Sequence, residues 1–225
     1  MSRKAIFHTI AEEIYKIKKD SPILVGIDGV DGAGKTFFAE GLRDMLQSLP
    51  NPVVLASVDD FHNPSIIRYR RGKDSPEGFY LDSFHYPLLK QSLLDPFRKG
   101  EGQYTLAGFD LTTDSERIEP FHPVLKNSIL VIEGIFLFRP ELVHYFDIKI
   151  FLDVDFEVTL KRNIHRSTDQ AHIGSTEKII ARYTTRYMPG QKLYLAQADP
   201  TSKADIIINN SDFENPVMTS MRLQD

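Results

Sequence analysis

The 225-residue chain contains no cysteine, which excludes a disulfide framework, thiolate metal sites and a cysteine nucleophile. It also lacks a basic excess. The formal net charge is -4, so neither nucleic acid nor an anionic membrane surface is the expected partner. No stretch approaches the roughly 20 apolar residues that cross a bilayer. The N-terminal "MSRKAIFHTIAEEIYKIKKD" has no unbroken apolar run and mixes acids with its bases, unlike a signal or transit peptide. Seven histidines are scattered without ligand spacing, which argues against structural zinc. Repeats and low-complexity tracts are absent too. With 41% hydrophobic and 26% charged residues, a cytoplasmic globular protein is expected, its residues 1–225 forming one domain.

What is present is an alternation of apolar runs and helical spacing. Ile6, Ile10, Ile14 and Ile17 mark a first helix, "PILVGID" a buried strand, and Phe38, Leu42, Met45 and Leu49 one face of a second helix. "PVVLASV" (52–58), "SILVIEGIFLF" (128–138), "FDIKIFLDV" (146–154) and "ADIIINN" are further strand candidates. Helical spacing returns in "LDSFHYPLLKQSLLDPF", "DFEVTLKRNIHR" and "STEKIIARYTTRYMPGQKLYLAQ", the last with a break or kink expected at Pro189-Gly190. Short β-prone pieces between 100 and 123 suggest a hairpin projecting from the sheet. Strand, helix, strand order implies parallel pairing, and an α/β sandwich of about five parallel strands is the economical fold.

"GIDGVDGAGKT" (26–36) contains Gly29-x-x-x-x-Gly34-Lys35-Thr36, the spacing of a phosphate-binding loop between a strand and a helix. Its glycines let backbone N–H groups of Gly29, Val30, Asp31, Gly32, Ala33 and Gly34 curl around phosphate oxygens. Lys35 then neutralises β- and γ-phosphate charge, and the Thr36 hydroxyl suits Mg²⁺. "VDDFH" (58–62) ends the second strand in the same crevice, where an acid accepts a hydroxyl proton or organises magnesium water; of Asp59 and Asp60, one does chemistry and the other caps a turn. Glu133 ends "ILVIE", as a Walker-B type carboxylate or as an ordinary solvated strand-end acid. "IIRYRRGK" (66–73) reads as an anchor for phosphates or the acceptor pocket, as a solvated loop, or as a nucleic-acid patch.

Taken in order, "GIDGVDGAGKT", "VDDFH", "DSPEGF", "VIEGIF" and "ADIIINN" resemble the signature blocks of the uridine kinase and phosphoribulokinase family of P-loop kinases, over about residues 23–210. That resemblance implies a P-loop NTPase-type three-layer fold with a core at about 20–210, a hairpin at about 100–123 and a helical lid at about 162–198. It implies ATP and Mg²⁺ as cofactors. Asp59 becomes the acid that activates the acceptor hydroxyl, with Lys35 and Arg166 completing the catalytic set. Phe37 and Arg162 join the nucleotide contacts, and Thr36, Glu133 and Asp59 the magnesium site. Acceptor contacts fall on Asp59, His62, Asp74, Phe79, Tyr104 and Arg166, with Asp74 placed to hold ribose hydroxyls; Arg182 is a further lid candidate. The chain departs from the family where the nucleoside kinases read the base with a Tyr-Asp-Phe…His hairpin: "YTLAGFD" keeps Tyr104 without the histidine, and His62 replaces a tyrosine. The implied activity is phosphoryl transfer from ATP to a small-molecule hydroxyl, a nucleoside 5′-hydroxyl first and a vitamin or sugar second. A regulatory NTPase and a silent binding module are the alternatives from other classes. Oligomeric state and ATP over GTP preference stay open.

Overall fold

The computed structural model describes residues 1–48, 50–166, 170–171 and 173–223. Leu49, and positions 167–169 and 172 of the expected lid, lie outside them.

Strands β1 (Ile23–Gly29), β2 (Val53–Ser57), β3 (Ile129–Glu133), β4 (Ile148–Asp153), β5 (Ile206–Asn209) and β6 (Val217–Met221) form one sheet in the order β6-β5-β4-β1-β3-β2. The first five are parallel, as expected; β6 adds an antiparallel edge that the sequence reading did not contain. Side chains alternate across the sheet because the strand period is two. On β3, Ile129 and Val131 enter one core with Ile6, Ile10, Ile14, Phe38 and Leu42, while Leu130 and Ile132 enter the other with Phe61, Leu89, Phe97 and Phe136.

Helix α1 (Arg3–Lys16) is started by the Ser2 side chain accepting from the Ala5 N–H at 3.3 Å. It packs on α2 (Lys35–Leu46), with the Phe7 and Phe38 rings edge to face at 4.9 Å. Beyond β2 come a 3₁₀ turn (Val58–Phe61), α3 (Pro76–Asp82) and a helical stretch through Lys99. The apolar run after Glu133 is not strand. The chain turns at Gly134, and Phe136 sits buried at φ +65°, a backbone value incompatible with a strand. The hairpin region pairs Gln103-Tyr104 with His122-Pro123 and Phe109-Asp110 with Ser115-Glu116, each antiparallel.

Helix α4 (Phe156–Ile164) follows β4, and α5 (Thr176–Arg182) runs through a π-turn (Tyr183–Tyr187) into α6 (Met188–Ala198). Pro189 does not end the helix. Its missing N–H is accommodated by the wider π-turn immediately before it. Among the described residues no helix is long and apolar enough to cross a membrane.

The apolar face of α1 closes one core, so Ile10→Ala should cost about 2–5 kcal/mol through its cavity. Glu12→Ala, on the exposed face, should cost less than about 0.5 kcal/mol. Urea midpoints compared with wild type check both.

Candidate active site

The parallel strands place the segments after β1, β2 and β3 at one end of the sheet. There they line a cavity of about 820 Å³ whose walls include Asp31, Gly32, Gly34, Lys35, Thr36 and Phe37 from the loop and α2, Asp59 and His62 from the turn after β2, Glu133 from β3, and Arg162 and Arg166 from α4 and its end.

The loop's shape depends on glycine at two points. Gly32 (φ +80°) and Gly34 (φ +88°) occupy the left-handed region, and a Cβ on Gly34 would lie 2.7 Å from the Phe213 ring and 2.9 Å from the Asn210 amide. Lys35 is 8% exposed, and its Nζ donates to the Val30 carbonyl at 2.9 Å, folding the side chain back over the loop. The Thr36 hydroxyl lies 3.3 Å from Glu133 Oε1. Burial raises the Glu133 carboxyl above its ordinary value; Lys35 opposes this, and neighbouring Asp59 adds to it.

Asp59 and Asp60 do not continue β2. They lie in the 3₁₀ turn, whose tight geometry sends them apart: Asp59 lines the cavity, while Asp60 faces Arg117 of the hairpin at 3.9 Å. Close packing behind them seats the turn. A Cβ on Gly134 would fall 2.0 Å from Val58 Cγ1, so glycine after Glu133 lets Val58, and Asp59 with it, approach the end of β3. The His62 ring stacks 4.6 Å from Phe84, and its Nδ1 is 2.7 Å from the Asp59 carbonyl. Burial holds this imidazole below the ordinary histidine value, so it is neutral near pH 7.

Several expected site residues stand elsewhere. Tyr104 is 9% exposed and packs between Phe97 (4.8 Å) and His122 (5.5 Å), outside the cavity lining, because the short Gln103–Pro123 ladder turns it into the core. Asp74 is exposed and lines an adjoining groove of about 650 Å³ that meets the cavity at Leu111 and Tyr187. Its carboxylate is 3.3 Å from Arg182, which also donates to the Lys73 carbonyl at 2.6 Å. Phe79 does line the cavity. Arg162 acts on the protein itself, donating to the carbonyls of Gly32 (3.1 Å), Asn210 (2.8 Å) and Ser211 (3.0 Å). Arg166 pairs with Asp31 at 3.0 Å. The arginines of "IIRYRRGK" are also engaged: Arg68 binds Asp114, and Arg70 and Arg71 bind the buried Asp82. Burial raises the Asp82 carboxyl, but the two arginine hydrogen bonds outweigh it and hold the group below its ordinary value.

One functional neighbour went unread. Asp28 is wholly buried at the end of β1, where its carboxylate accepts from the N–H groups of Gly29 (2.7 Å) and Phe138 (3.0 Å) and from the Tyr194 hydroxyl. Desolvation pushes its pKa up to about 6 despite these donors. An acid inside an apolar strand was the available signal.

Residues 24–214 match the model of the Phosphoribulokinase / Uridine kinase family. The chain belongs to that family. A curated uridine kinase of Lactobacillus johnsonii is 29% identical over 204 residues, covering 89% of this chain and 92% of its own. A solved Bacillus stearothermophilus protein described as a possible uridine kinase superposes with a TM-score of 0.72 at 24% identity, over 91% of this chain and 97% of its own. A D-glycerate 3-kinase of Cryptococcus neoformans shares the fold at a TM-score of 0.63 and 15% identity, over 96% and 97%. The kinase-family chain is thus a P-loop phosphotransferase by descent, and its fold is common to proteins named for different acceptors.

Because the folded-state pKa of Asp28 lies above the ordinary 3.8, the folded protein holds this proton more tightly than the unfolded chain. Its contribution is therefore greatest below about pH 4 and falls as pH rises to about 6. The stability of wild type minus that of Asp28→Asn should decline over that window by on the order of 3 kcal/mol and then level off. Urea unfolding of both proteins at stepped pH checks the sign and the plateau.

Proposed function

We propose that the chain is an ATP-dependent kinase that transfers the γ-phosphoryl group to a hydroxyl of a small metabolite, with the 5′-hydroxyl of a nucleoside such as uridine or cytidine as the leading acceptor. The observation that carries the reading is the convergence of Lys35, Thr36, Asp59 and Glu133 on one cavity at the head of α2. The named uridine kinases among the relatives support the nucleoside.

The loop's backbone N–H groups and Lys35 hold the triphosphate, for which Lys35 exchanges its contact with the Val30 carbonyl. Asp59 orients the acceptor hydroxyl and takes its proton as the oxygen attacks the γ-phosphorus; the bond to the β,γ-bridging oxygen breaks and ADP leaves. His62, neutral and anchored at Nδ1, presents its other ring nitrogen to the acceptor. Phe79 forms an apolar wall of the acceptor side. Arg166 moves from Asp31 to the phosphates as the lid closes.

Magnesium fits this donor set. The Thr36 hydroxyl and the Glu133 carboxylate are hard oxygen donors 3.3 Å apart, with Asp59 beside them, and a cation there would offset the burial that raises the Glu133 carboxyl. When bound, the ion would neutralise charge on the β- and γ-oxygens.

A second acceptor class, another small alcohol such as a vitamin or sugar, is favoured by one observation: Tyr104 and Asp74 are both absent from the cavity wall, so the contacts expected to read a base and a ribose are not assembled there. Screening the protein with ATP and Mg²⁺ against nucleosides, vitamins and sugars, read by a mass gain of one phosphoryl group, decides between them. ATP hydrolysis indifferent to every acceptor would instead favour a regulatory NTPase.

Asp59→Asn should retain ATP binding and lower single-turnover transfer by roughly 10²–10⁴, whereas Asp60→Asn should cost far less because that side chain faces the hairpin. The reverse order would reassign the base. Glu133→Gln should shift the Mg²⁺ requirement upward, and an unchanged magnesium titration would remove Glu133 from the ion's site.

A further inference from the structure

The α5–α6 helix carries two sets of contacts on adjacent faces, and they reach the two halves of the cavity. One set runs to the phosphate loop. The Tyr194 hydroxyl bonds the Asp28 carboxylate, the Tyr183 hydroxyl bonds that of Asp31, and the Asp31 N–H donates to Gln191 Oε1 at 2.5 Å. Gln191 is 2% exposed, and its Nε2 donates to the Tyr187 carbonyl at 3.0 Å, which fixes the oxygen toward the loop.

The other set runs to the loop carrying Asp74. Arg186, 2% exposed, donates through Nη1 to the carbonyls of Gly72 (3.2 Å), Lys73 (3.1 Å) and Ser75 (3.1 Å), and through Nη2 to that of Arg68 (3.0 Å). Its guanidinium lies 4.9 Å from the Tyr69 ring and 5.7 Å from Phe79. Tyr187 packs 4.7 Å from Phe79, and a Cβ on Gly190 would come 2.7 Å from the Pro76 carbonyl, so α6 and α3 touch nearly backbone to backbone.

A buried arginine that among the described residues is bound to no carboxylate and is spent on four backbone carbonyls is an expensive way to fill space. Its planar fork does what an apolar side chain does not: it sets the path of residues 68–75 relative to the helix. The same helix sets residues 28 and 31 relative to itself. The phosphate loop and the acceptor-side loop are thereby both registered against the α5–α6 helix.

We infer that Arg186, with Gln191 and Tyr194, are positioning residues that fix the distance between the donor and acceptor halves of the cavity through the α5–α6 helix. Their meaning for transfer rests on the kinase reading, because in-line displacement needs the two reactants held to within a fraction of an ångström. The mechanical link does not, and it is measurable in the empty protein.

Amide hydrogen exchange of the full-length chain without ligands tests it in both directions. Arg186→Lys keeps the charge but loses the four-acceptor fork; it should speed exchange of the phosphate loop, 28–36, by more than tenfold as well as that of 68–79. Tyr194→Phe loses one hydroxyl beside Asp28; it should speed exchange at 68–79 besides its own surroundings. Exchange in α1, which touches neither set, should stay within twofold of wild type in both variants. Loosening confined to the mutated side overturns the inference, and so does uniform acceleration that includes α1, which would mark a general loss of stability. In transfer assays with an accepted alcohol, Arg186→Lys should lower kcat at least tenfold while the KM for ATP moves less than threefold. Failure of the acceptor screen would count against the kinase reading and leave the exchange result standing.

Discussion

Beneath the phosphate loop a wholly buried carboxylate, that of Asp28, is held by three donors from three separate parts of the chain. Gly29 belongs to the loop itself, Phe138 to the segment that follows Glu133, and Tyr194 to the helix on the far side of the cavity. An ionised Asp28 is costly there unless its donors are in place, and the Phe138 N–H is shared between the Asp28 carboxylate and the Tyr194 hydroxyl, which ties the three groups together. The loop's glycines permit its curvature, but this shared anion decides where the loop stands relative to Glu133 and to α6. The remaining polar contacts of the site, from Lys35 to Arg166, start from that placement.

The donor half of the molecule was legible because its signals are local. Apolar runs at strand period and a glycine loop before an amphipathic helix can be read within a dozen residues, and parallel topology then brings Asp59 and Glu133 to one end of the sheet. Long-range pairing was not legible in the same way. Asp28 reads as one polar residue in a strand, and nothing local ties Tyr183 or Tyr194 to the phosphate loop, because their partners lie 152 and 166 residues away. Arg186 was invisible for a related reason: it binds backbone, which has no sequence signature. The antiparallel β6 was missed because it is a short edge strand whose residues alternate between exposed and half-buried, without the continuous apolar run that marked the buried strands. Tyr104 was assigned by likeness to a reading hairpin, and the local ladder turned it inward.

The division between halves also orders what family membership conveys. Nucleotide handling depends on backbone geometry and a few charged groups, and these are the parts that match in order along the chain. The acceptor side, in the proposed reading, is built from the turns and short helices between 61 and 123, where Arg68, Arg70 and Arg71 are engaged in holding the protein's own backbone and carboxylates. Binding selectivity there follows from which hydrogen-bonding groups face the cavity, since unmatched buried groups are poorly tolerated. A fold shared with a D-glycerate kinase therefore says little about the alcohol, whereas the wall formed by His62, Phe79 and Phe84 says more.

The contact between Gly134 and Val58 makes the spacing of two carboxylates a property of hydrophobic packing. Neither residue carries a charge or faces the cavity, yet their summed volume sets how closely the turn bearing Asp59 lies against the strand bearing Glu133. Positions 58 and 134 are therefore not free to vary one at a time. A side chain gained at one has to be matched by atoms lost at the other, and a substitution that respects polarity everywhere in the cavity but ignores this reciprocity would detune the site from behind.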